Sequence, residues 1–233
     1  MNLLYDILDD FSSLLFPRLC YGCGNHLMRN ESIICTECHA VIPKTNYHNE
    51  TDNPVAQLFW GRCMVEKAAS FSYYNRGSRI RTLIHNLKYK GIKEIGTELG
   101  SIYGYSLVSS GFTGGIDIIM PVPLHPAKER SRGFNQSAIV SEGISAATRI
   151  PVETKALVRV AVSPTQTRKS RYERWTNVEG IFRVIDPERI KGMHILLVDD
   201  VITTGSTVES CVNELVKVEG VKVSVAALAY AVM

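Results

Sequence analysis

The strongest constraint on the fold of this chain is the run of residues from Ile195 to Thr207. It opens with four consecutive apolar residues, Ile195–Val198, which is typical of a strand buried on both faces. Asp199 and Asp200 follow at once, and a short stretch of small polar residues then leads into a predicted helix. Open α/β sheets bind ligands at the carboxyl ends of their strands, so the run predicts a binding site at this point.

The loop between the two acids and the helix has the chemistry of a phosphate site. The start of a helix offers unpaired N–H groups and the positive end of its dipole, while hydroxyl side chains add donors and a glycine allows close backbone approach. The residues expected to hold the phosphate are Thr203, Thr204, Gly205, Ser206 and Thr207. A Walker A loop fits poorly because its glycine and lysine spacing is missing, and an ordinary strand followed by a capped helix is the other alternative.

The two carboxylates would repel a phosphate group unless they face something else. Ribose hydroxyls can donate hydrogen bonds to carboxylates, and Mg²⁺ nearby can balance the charge. The run therefore predicts a ribose-5-phosphate ligand of the PRPP (5-phosphoribosyl 1-pyrophosphate) type, bound with Mg²⁺. It also matches the signature of type I phosphoribosyltransferases.

The chain alternates between predicted strands and helices from about residue 67 onward. This alternation favours an α/β fold with a parallel sheet flanked by helices. The predicted strands are Lys67–Tyr74, Ile116–Pro121, a short strand from Val152, Ile195–Val198 and Val221–Ala229. The predicted helices are Arg79–Tyr89, Lys93–Val108, Asn135–Thr148 and Thr207–Val218.

Four of the six cysteines form two CxxC knuckles near the N-terminus: Cys20, Cys23, Cys35 and Cys38. In a reducing compartment, two such knuckles predict four thiolates around a structural Zn²⁺. A pair of redox dithiols is the alternative, but the surrounding residues do not resemble a thioredoxin-like strand and helix. His26 and His39 lie beside the knuckles as substitute ligands, and Cys63 and Cys211 are expected to be buried small side chains.

The first residues of the chain do not predict a targeting segment. Residues 1–16 carry three aspartates, lack a basic start and a small-residue cleavage site, and place their apolar residues on one helical face. They predict a docking helix in a cytoplasmic protein, since no apolar run reaches the roughly 18 residues that span a bilayer. The predicted organisation is an N-terminal helix and zinc-ribbon-like domain over 1–45, a linker over 46–65 and an α/β domain over 66–233.

Positive charge is clustered, although the formal net charge is only +3. Residues 76–93 hold six basic residues and no acid, and basic residues also outnumber acids over 125–175. Such clusters favour phosphate-bearing ligands, small or polymeric, with a solvated basic face as the alternative. The candidate nucleic-acid contacts are Arg76, Arg79, Lys88 and Lys90, beside Tyr73, Tyr74 and Tyr89 as stacking platforms or core aromatics.

Further motifs narrow the match to one family. They are Leu87-Lys88-Tyr89-Lys90-Gly91, Pro121-Val122-Pro123, Arg130-Ser131-Arg132-Gly133-Phe134-Asn135-Gln136-Ser137, Arg159 ahead of Thr165-Gln166-Thr167, and Arg171-Tyr172-Glu173-Arg174. With the four-cysteine knuckle, this combination closely resembles the ComF/GntX-like (ComFC) family over essentially the whole chain. The resemblance implies a type I phosphoribosyltransferase fold with a small N-terminal zinc-ribbon-like domain.

The resemblance also implies roles for two loops. The loop from Pro123 to Gly133 would cradle pyrophosphate, with Arg130 and Arg132 as bidentate partners for its oxygens. The stretch from Ser163 to Gly180 would close over the site as a flexible loop. Its candidate residues are Thr165, Gln166, Arg171 and Arg174.

Two functions are compatible with these motifs. In the first, Asp199 and Asp200 are the catalytic positions and hold ribose hydroxyls while an unidentified acceptor displaces pyrophosphate from C1 of PRPP. In the second, a non-catalytic protein binds PRPP and single-stranded DNA in natural competence, with competence proteins as partners. The two are not exclusive.

Overall fold

The computed structural model describes residues 17–160 and 180–232. The strands in these ranges are β1 (Ala68–Tyr73), β2 (Ile118–Pro121), β3 (Leu157–Arg159), β4 (Phe182–Val184), β5 (His194–Ile202) and β6 (Lys222–Tyr230). A parallel sheet has the order β1-β6-β5-β2, while β3 and β4 form a separate antiparallel pair. Val152 extends the sheet beyond β2 through a parallel bridge to Ile119. The predicted parallel sheet is confirmed.

The described helices include the four that periodicity predicts and three that it does not. They are α1 (Thr36–Val41), α2 (Pro54–Gln57), α3 (Arg79–Lys90), α4 (Lys93–Ser109), α5 (Pro126–Arg132), α6 (Gln136–Thr148) and α7 (Ser206–Leu215). The unpredicted helices α1, α2 and α5 are all short. Asn135 caps α6, since its Oδ1 accepts a hydrogen bond from the N–H of Ser137 at 3.0 Å.

Helices α4 and α6 pack closely through glycines. A Cβ on Gly100 would lie 2.4 Å from the backbone oxygen of Val140, and one on Gly143 would lie 2.3 Å from a backbone oxygen of α4. Two further glycines of α4, one turn on either side of Gly100, also meet α6. The close contact between the two helices sets the position of α6, and it places Ser137, in the first turn of α6, beside Asp199 at the end of β5.

Residues 46–65, predicted as a linker, fold against the sheet. Asn53 is almost fully buried: its Nδ2 donates to the backbone oxygen of Ala68 at 2.9 Å, and its Oδ1 caps α2. Phe59 is buried as well. The domain boundaries at 45 and 65 stay a prediction, although the residues between them share the core of the α/β domain.

Two predicted segments fall outside the described residues. They are the docking helix at 1–16 and most of the flexible loop, including Thr165, Gln166, Arg171 and Arg174. The described residues nearest that loop are the strands β3 and β4 and Gly180. Among helices in the described ranges, none has both the length and the apolar character required to cross a membrane.

Candidate functional site

Asp199 and Asp200 lie at the carboxyl end of β5. Oδ1 of Asp199 accepts hydrogen bonds from Ser137 Oγ at 3.1 Å and from the backbone N–H of Asp200 at 2.8 Å. Asp200 is buried, with 4% of its surface exposed. Ser137 of α6 therefore holds Asp199, and Lys88 of α3 holds Asp200.

Burial, and then the charge of Asp200, raise the pKa of Asp199 to about 7. The hydrogen bonds from the Asp200 N–H and from Ser137, and the charge of Lys88, act in the opposite direction. Ionising both carboxylates is costly because Asp200 is buried and Asp199 lies half-buried beside it. A ligand that donates hydrogen bonds or brings a cation would reduce that cost.

Lys88, in the last turn of α3, supplies the counterion of Asp200. Its Nζ lies 2.8 Å from Oδ2 of Asp200, and the two side chains are 21% and 6% exposed. That oxygen accepts no hydrogen bond within the described part of the chain, so the contact is an ion pair without hydrogen-bond geometry. The sequence predicts Lys88 as a nucleic-acid contact, whereas its ammonium faces the acidic pair.

The loop after β5 leaves the start of α7 open. Gly205 is the N-cap residue, with a φ of 77°, and no side chain caps the first turn. Thr204 Oγ1 and Ser206 Oγ lie 3.0 Å apart, and Thr203 and Thr207 are also exposed. Uncapped N–H groups and exposed hydroxyls at the positive end of a helix can bind a phosphate group.

Residues of the predicted linker support this loop from beneath. A Cβ on Gly205 would lie 3.0 Å from the ring of Phe59, so the loop rests on that ring. Arg62 donates from Nη1 to the backbone oxygen of Thr204 at 2.9 Å and forms an ion pair with Glu209 of α7. Sequence reasoning missed Phe59 and Arg62, because no spacing pattern marks them.

A cavity of about 650 Å³ opens between the end of α3 and α5. The guanidinium of Arg132 lies 5.7 Å from the ring centre of Tyr89 and donates to Gln136. Four of the lining residues are cations and none is an acid, so the cavity suits an anion. The lining residues are Lys88, Tyr89, Lys90, Gly91, Ala127, Lys128, Ser131 and Arg132. Lys88 therefore faces both this cavity, hereafter the basic cavity, and Asp200.

The predicted pyrophosphate loop contains a helix. Pro126 starts α5, and His125 caps it by accepting a hydrogen bond from the N–H of Ala127 at 3.2 Å. Arg132 lines the basic cavity, whereas Arg130 is exposed and is not among the lining residues. Residues two apart on a helix do not share a face, which explains why the structure separates the two arginines.

The four predicted cysteines come together in one cluster. The Sγ atoms of Cys20, Cys23, Cys35 and Cys38 all lie within 4.8 Å of one another, so the cluster could hold a metal ion. Backbone N–H groups point at the sulfurs, as from Gly22 to Cys20 Sγ at 3.3 Å. A Cβ on Gly22 would lie 2.9 Å from Cys38 Sγ, so a glycine is needed there.

Backbone N–H groups lower the pKa of Cys20, whereas burial raises the pKa of Cys35 and of Cys38. Burial raises the pKa of Cys20, but the N–H groups of Cys35, Cys23 and Gly22 outweigh it and lower the pKa to about 7. A cation among the four sulfurs would favour the ionised form of every one of them.

The cysteine module is anchored to α3 and α4. Asn86 Nδ2 of α3 donates to the backbone oxygen of Tyr21 at 2.8 Å. His39 Nε2 lies 2.8 Å from Glu98 Oε1 of α4, and Ser32 Oγ donates to the other oxygen of Glu98 at 3.2 Å. His39 thus serves as an anchor, and neither it nor His26 belongs to the metal-binding cluster of the described residues.

A protein-family profile described as the phosphoribosyl transferase domain matches residues 144–231. The matched range contains β5, the acidic pair, α7 and the loop of residues 203–207, hereafter the phosphate-type loop. Together with the parallel sheet, this match assigns the chain to proteins with the type I phosphoribosyltransferase fold.

Curated relatives narrow the assignment. "DNA utilization protein YhgH" of Salmonella typhimurium is 29% identical over 215 residues, which cover 88% of this chain and 93% of the relative. "Competence protein ComFC" of Bacillus subtilis is 26% identical over 196 residues, which cover 82% of this chain and 74% of the relative. With the matched domain and the four-cysteine cluster, these relatives support the resemblance to the ComF family.

Solved structures with a similar fold include the adenine phosphoribosyltransferase of Leishmania tarentolae. It is 14% identical, with a TM-score of 0.39, and the match covers 78% of this chain and 89% of that chain. The assignment of fold rests instead on the strand order and the matched domain.

Proposed function

We propose that the protein binds PRPP across the end of β5 and transfers its phosphoribosyl group to an acceptor. One observation carries the proposal: an acidic pair lies at a strand end that opens into an uncapped helix start, and its counterion lines the basic cavity. The residues Thr203–Thr207 would bind the 5′-phosphate, and Asp199 and Asp200 would accept hydrogen bonds from ribose hydroxyls. Arg132 would bind the pyrophosphate from the basic cavity, and Arg130, outside that cavity, stays a second candidate.

The chemistry is displacement at C1 of the ribose. The bond from C1 to the pyrophosphate oxygen breaks, pyrophosphate leaves with the bonding electrons, and a nucleophile of the acceptor forms a new bond to C1. The protein contributes by positioning the reactants and by neutralising the charge of the leaving group.

The acidic pair also fits Mg²⁺. Carboxylate oxygens are ligands that Mg²⁺ prefers, and Oδ2 of Asp200 is a buried acceptor without a hydrogen bond in the described residues. Asp199 and Asp200 would hold the ion, alone or through water, together with the ligand. When bound, it would offset the negative charge of the pyrophosphate.

Calorimetry with PRPP and Mg²⁺ tests binding. The Asp199→Asn/Asp200→Asn protein should bind PRPP at least about tenfold more weakly, because it lacks two charged acceptors. Asp186→Asn, an exposed change away from the site, is the matched control and should bind as the wild type does. A wild-type protein without PRPP affinity rules out the proposal, and a screen of nucleobases and amines for pyrophosphate release would identify the acceptor.

We infer that the four cysteines hold a structural Zn²⁺. A tetrahedral set of four thiolates suits Zn²⁺, and the inward N–H groups support ionised sulfurs. Such a site goes with a cytoplasmic location, where thiols stay reduced. Metal analysis of purified protein should find close to one Zn²⁺ per chain, and less than about half an equivalent contradicts the assignment once loss during purification is excluded.

A second candidate function is binding of single-stranded DNA. It is supported by the exposed cations Arg76, Arg79 and Lys90 on and beside α3, by the 69% exposure of Tyr89, and by the words "DNA utilization" and "competence" in the names of the relatives. A DNA path here would join α3 to the cysteine module, because Lys90 also lines a cavity beside Cys20.

Salt dependence separates the two functions. Arg79→Ala/Lys90→Ala should weaken binding of a single-stranded oligonucleotide and flatten its dependence on salt, since two phosphate contacts are lost. The Asp199→Asn/Asp200→Asn protein should keep its DNA affinity. Equal DNA binding by all of these proteins would remove this candidate.

A further inference from the structure

Lys88 lies between two regions of opposite charge. On one side its ammonium pairs with Asp200, whose carboxylate is almost completely shielded from water. On the other side Lys88 lines the basic cavity together with Lys90, Lys128 and Arg132. A single flexible cation therefore touches both the proposed ribose site and the proposed pyrophosphate site.

The charges at Asp200 explain why Lys88 is needed when no ligand is bound. A buried carboxylate without a counterion is strongly destabilising, and Asp199 adds a like charge beside it. In the ligand-free protein Lys88 offsets this charge. It also occupies space at Oδ2, the oxygen that a ribose hydroxyl would have to reach.

An anion in the basic cavity would compete with Asp200 for the ammonium of Lys88. A pyrophosphate group presents several charged oxygens, whereas Asp200 offers Lys88 a contact without hydrogen-bond geometry. Three further cations already converge on the cavity, so an anion placed there would attract the Lys88 ammonium away from the carboxylate. Oδ2 of Asp200 would then be open to a hydrogen-bond donor.

We propose that Lys88 is a positioning residue that exchanges partners, leaving Asp200 for the pyrophosphate group when PRPP binds and thereby freeing Asp200 for the ribose hydroxyls. This inference rests on the proposed function and adds a basis for specificity to it. The ribose site becomes complete only when a pyrophosphate is present. PRPP is thus distinguished from ribose 5-phosphate by more than the contacts of the extra group.

The test compares three ligands by calorimetry in the presence of Mg²⁺: PRPP, ribose 5-phosphate and pyrophosphate. Lys88→Met removes the charge but keeps an unbranched side chain. It should weaken binding of PRPP and pyrophosphate by about tenfold or more, since a charge-assisted contact is lost. Binding of ribose 5-phosphate should instead become tighter, because no ammonium competes for Asp200.

Two variants control for effects that do not depend on the ion pair between Lys88 and Asp200. Lys90→Met removes a cation of the same cavity that has no ion pair with Asp200, so it should weaken pyrophosphate and PRPP but leave ribose 5-phosphate unchanged. Lys88→Arg keeps the charge and should restore the order of affinities of the wild type. If Lys88→Met does not fold, Lys88→Met/Asp200→Asn removes the unpaired charge, and it should lose the advantage of PRPP over ribose 5-phosphate.

The outcomes separate this inference from the proposed function. If the wild type binds PRPP and ribose 5-phosphate but Lys88→Met weakens both to the same extent, the exchange is wrong and the proposed function stands. The exchange is also wrong if Lys88→Met and Lys90→Met affect all three ligands alike. A wild-type protein that binds neither sugar phosphate overturns the proposed function, and the exchange with it.

Discussion

At the scale of single residues, the acidic pair at the end of β5 is under electrostatic strain. Asp199 shares a shielded site with Asp200, and the two depend on Ser137, one backbone N–H and Lys88 for compensation. Such perturbed carboxylates are common where a protein binds ligands that supply the missing compensation. The cost of ionising this pair can also be measured without any ligand, as a dependence of the free energy of unfolding on pH.

The first prediction concerns pH. An unfolded aspartate titrates near about 4, whereas burial beside Asp200 raises the pKa of native Asp199 to about 7. Between these values the native state binds more protons than the unfolded state, so the free energy of unfolding falls as pH rises. Asp199→Asn removes this loss, and the amide oxygen can still accept both hydrogen bonds. The Tm of the variant should exceed that of the wild type by roughly 4 °C or more at pH 8.

The difference between the two proteins should shrink toward pH 4, where native Asp199 is protonated and the unfolded residue begins to be protonated as well. Thermal unfolding from pH 4 to 8 measures it, and other titrating groups cancel in the difference. Asp186→Asn is the control and should show no such trend. A difference in Tm that does not change with pH would contradict the account of the acidic pair.

At the scale of elements, two contacts place the site: the α4–α6 packing and the support beneath the phosphate-type loop. The first depends on glycines that let backbones touch. The second depends on residues 58–62, which lie far from the loop in sequence. Both act on the site through elements that touch no ligand themselves.

Gly100→Ala should destabilise the protein. Its Cβ would lie 2.4 Å from a backbone oxygen of α6, and backbone cannot move aside as a side chain can. The cost should be about 1–3 kcal/mol in chemical denaturation, even though alanine favours a helix over glycine. Thr97→Ala, at an exposed position of the same helix, should lie within about 0.5 kcal/mol of the wild type. Equal stability of both variants would mean that the helices are not in backbone contact at Gly100.

Arg62→Met should weaken binding of ribose 5-phosphate several-fold and leave pyrophosphate binding unchanged. The reason is that Arg62 holds the backbone of Thr204 and the first turn of α7 through Glu209, but does not line the basic cavity. Calorimetry with each ligand measures the two affinities. Arg189→Met removes another ion-paired arginine and should change neither; an equal loss for both ligands in Arg62→Met would point to general destabilisation.

The sequence predicts the elements that have a long apolar pattern and misses those without one. The strand at Ile195–Val198 and helix α6 follow directly from periodicity and capping. The antiparallel strands β3 and β4 have three residues each, too few to show alternation. Helix α5 carries no buried residue, so no apolar stripe marks it. Phe59 and Arg62 act through tertiary contacts that local sequence does not encode.

In the candidate site, too, the sequence predicts the features that local patterns encode and misses those that depend on tertiary contacts. Acids, hydroxyls and cysteines are recognisable because their chemistry needs them close in sequence. The pairing of Lys88 with Asp200 joins residues more than a hundred positions apart, and only the tertiary fold brings them together. The sequence shows that Lys88 is basic, but not which acid it meets.

At the scale of the whole molecule, α3 connects the cysteine module to the acidic pair. Asn86 anchors the module through Tyr21, and Lys88, two residues later in the same turn, pairs with Asp200. Glu98 of α4 provides a second attachment through His39. The cysteine module is thereby joined to the helix that carries the counterion of the site.

Removal of the metal should therefore weaken PRPP binding. Without the ion, nothing holds the four sulfurs together, and the anchor at Tyr21 loses its fixed position. Protein stripped by a chelator should bind PRPP several-fold more weakly in calorimetry, and added Zn²⁺ should restore it. Asn86→Ala keeps the four cysteines and should show the same weakening with the metal content unchanged. Full affinity in the stripped protein would show that the module and the site are independent.

The turn of α3 that carries both Asn86 and Lys88 has a consequence for the metal itself. Thermodynamic coupling is reciprocal, so if the ion strengthens PRPP binding by some factor, PRPP must strengthen the hold on the ion by the same factor. The chelator concentration that removes half of the metal at equilibrium would then rise in the presence of PRPP. A cell rich in PRPP would, on this basis, protect the protein against zinc scarcity.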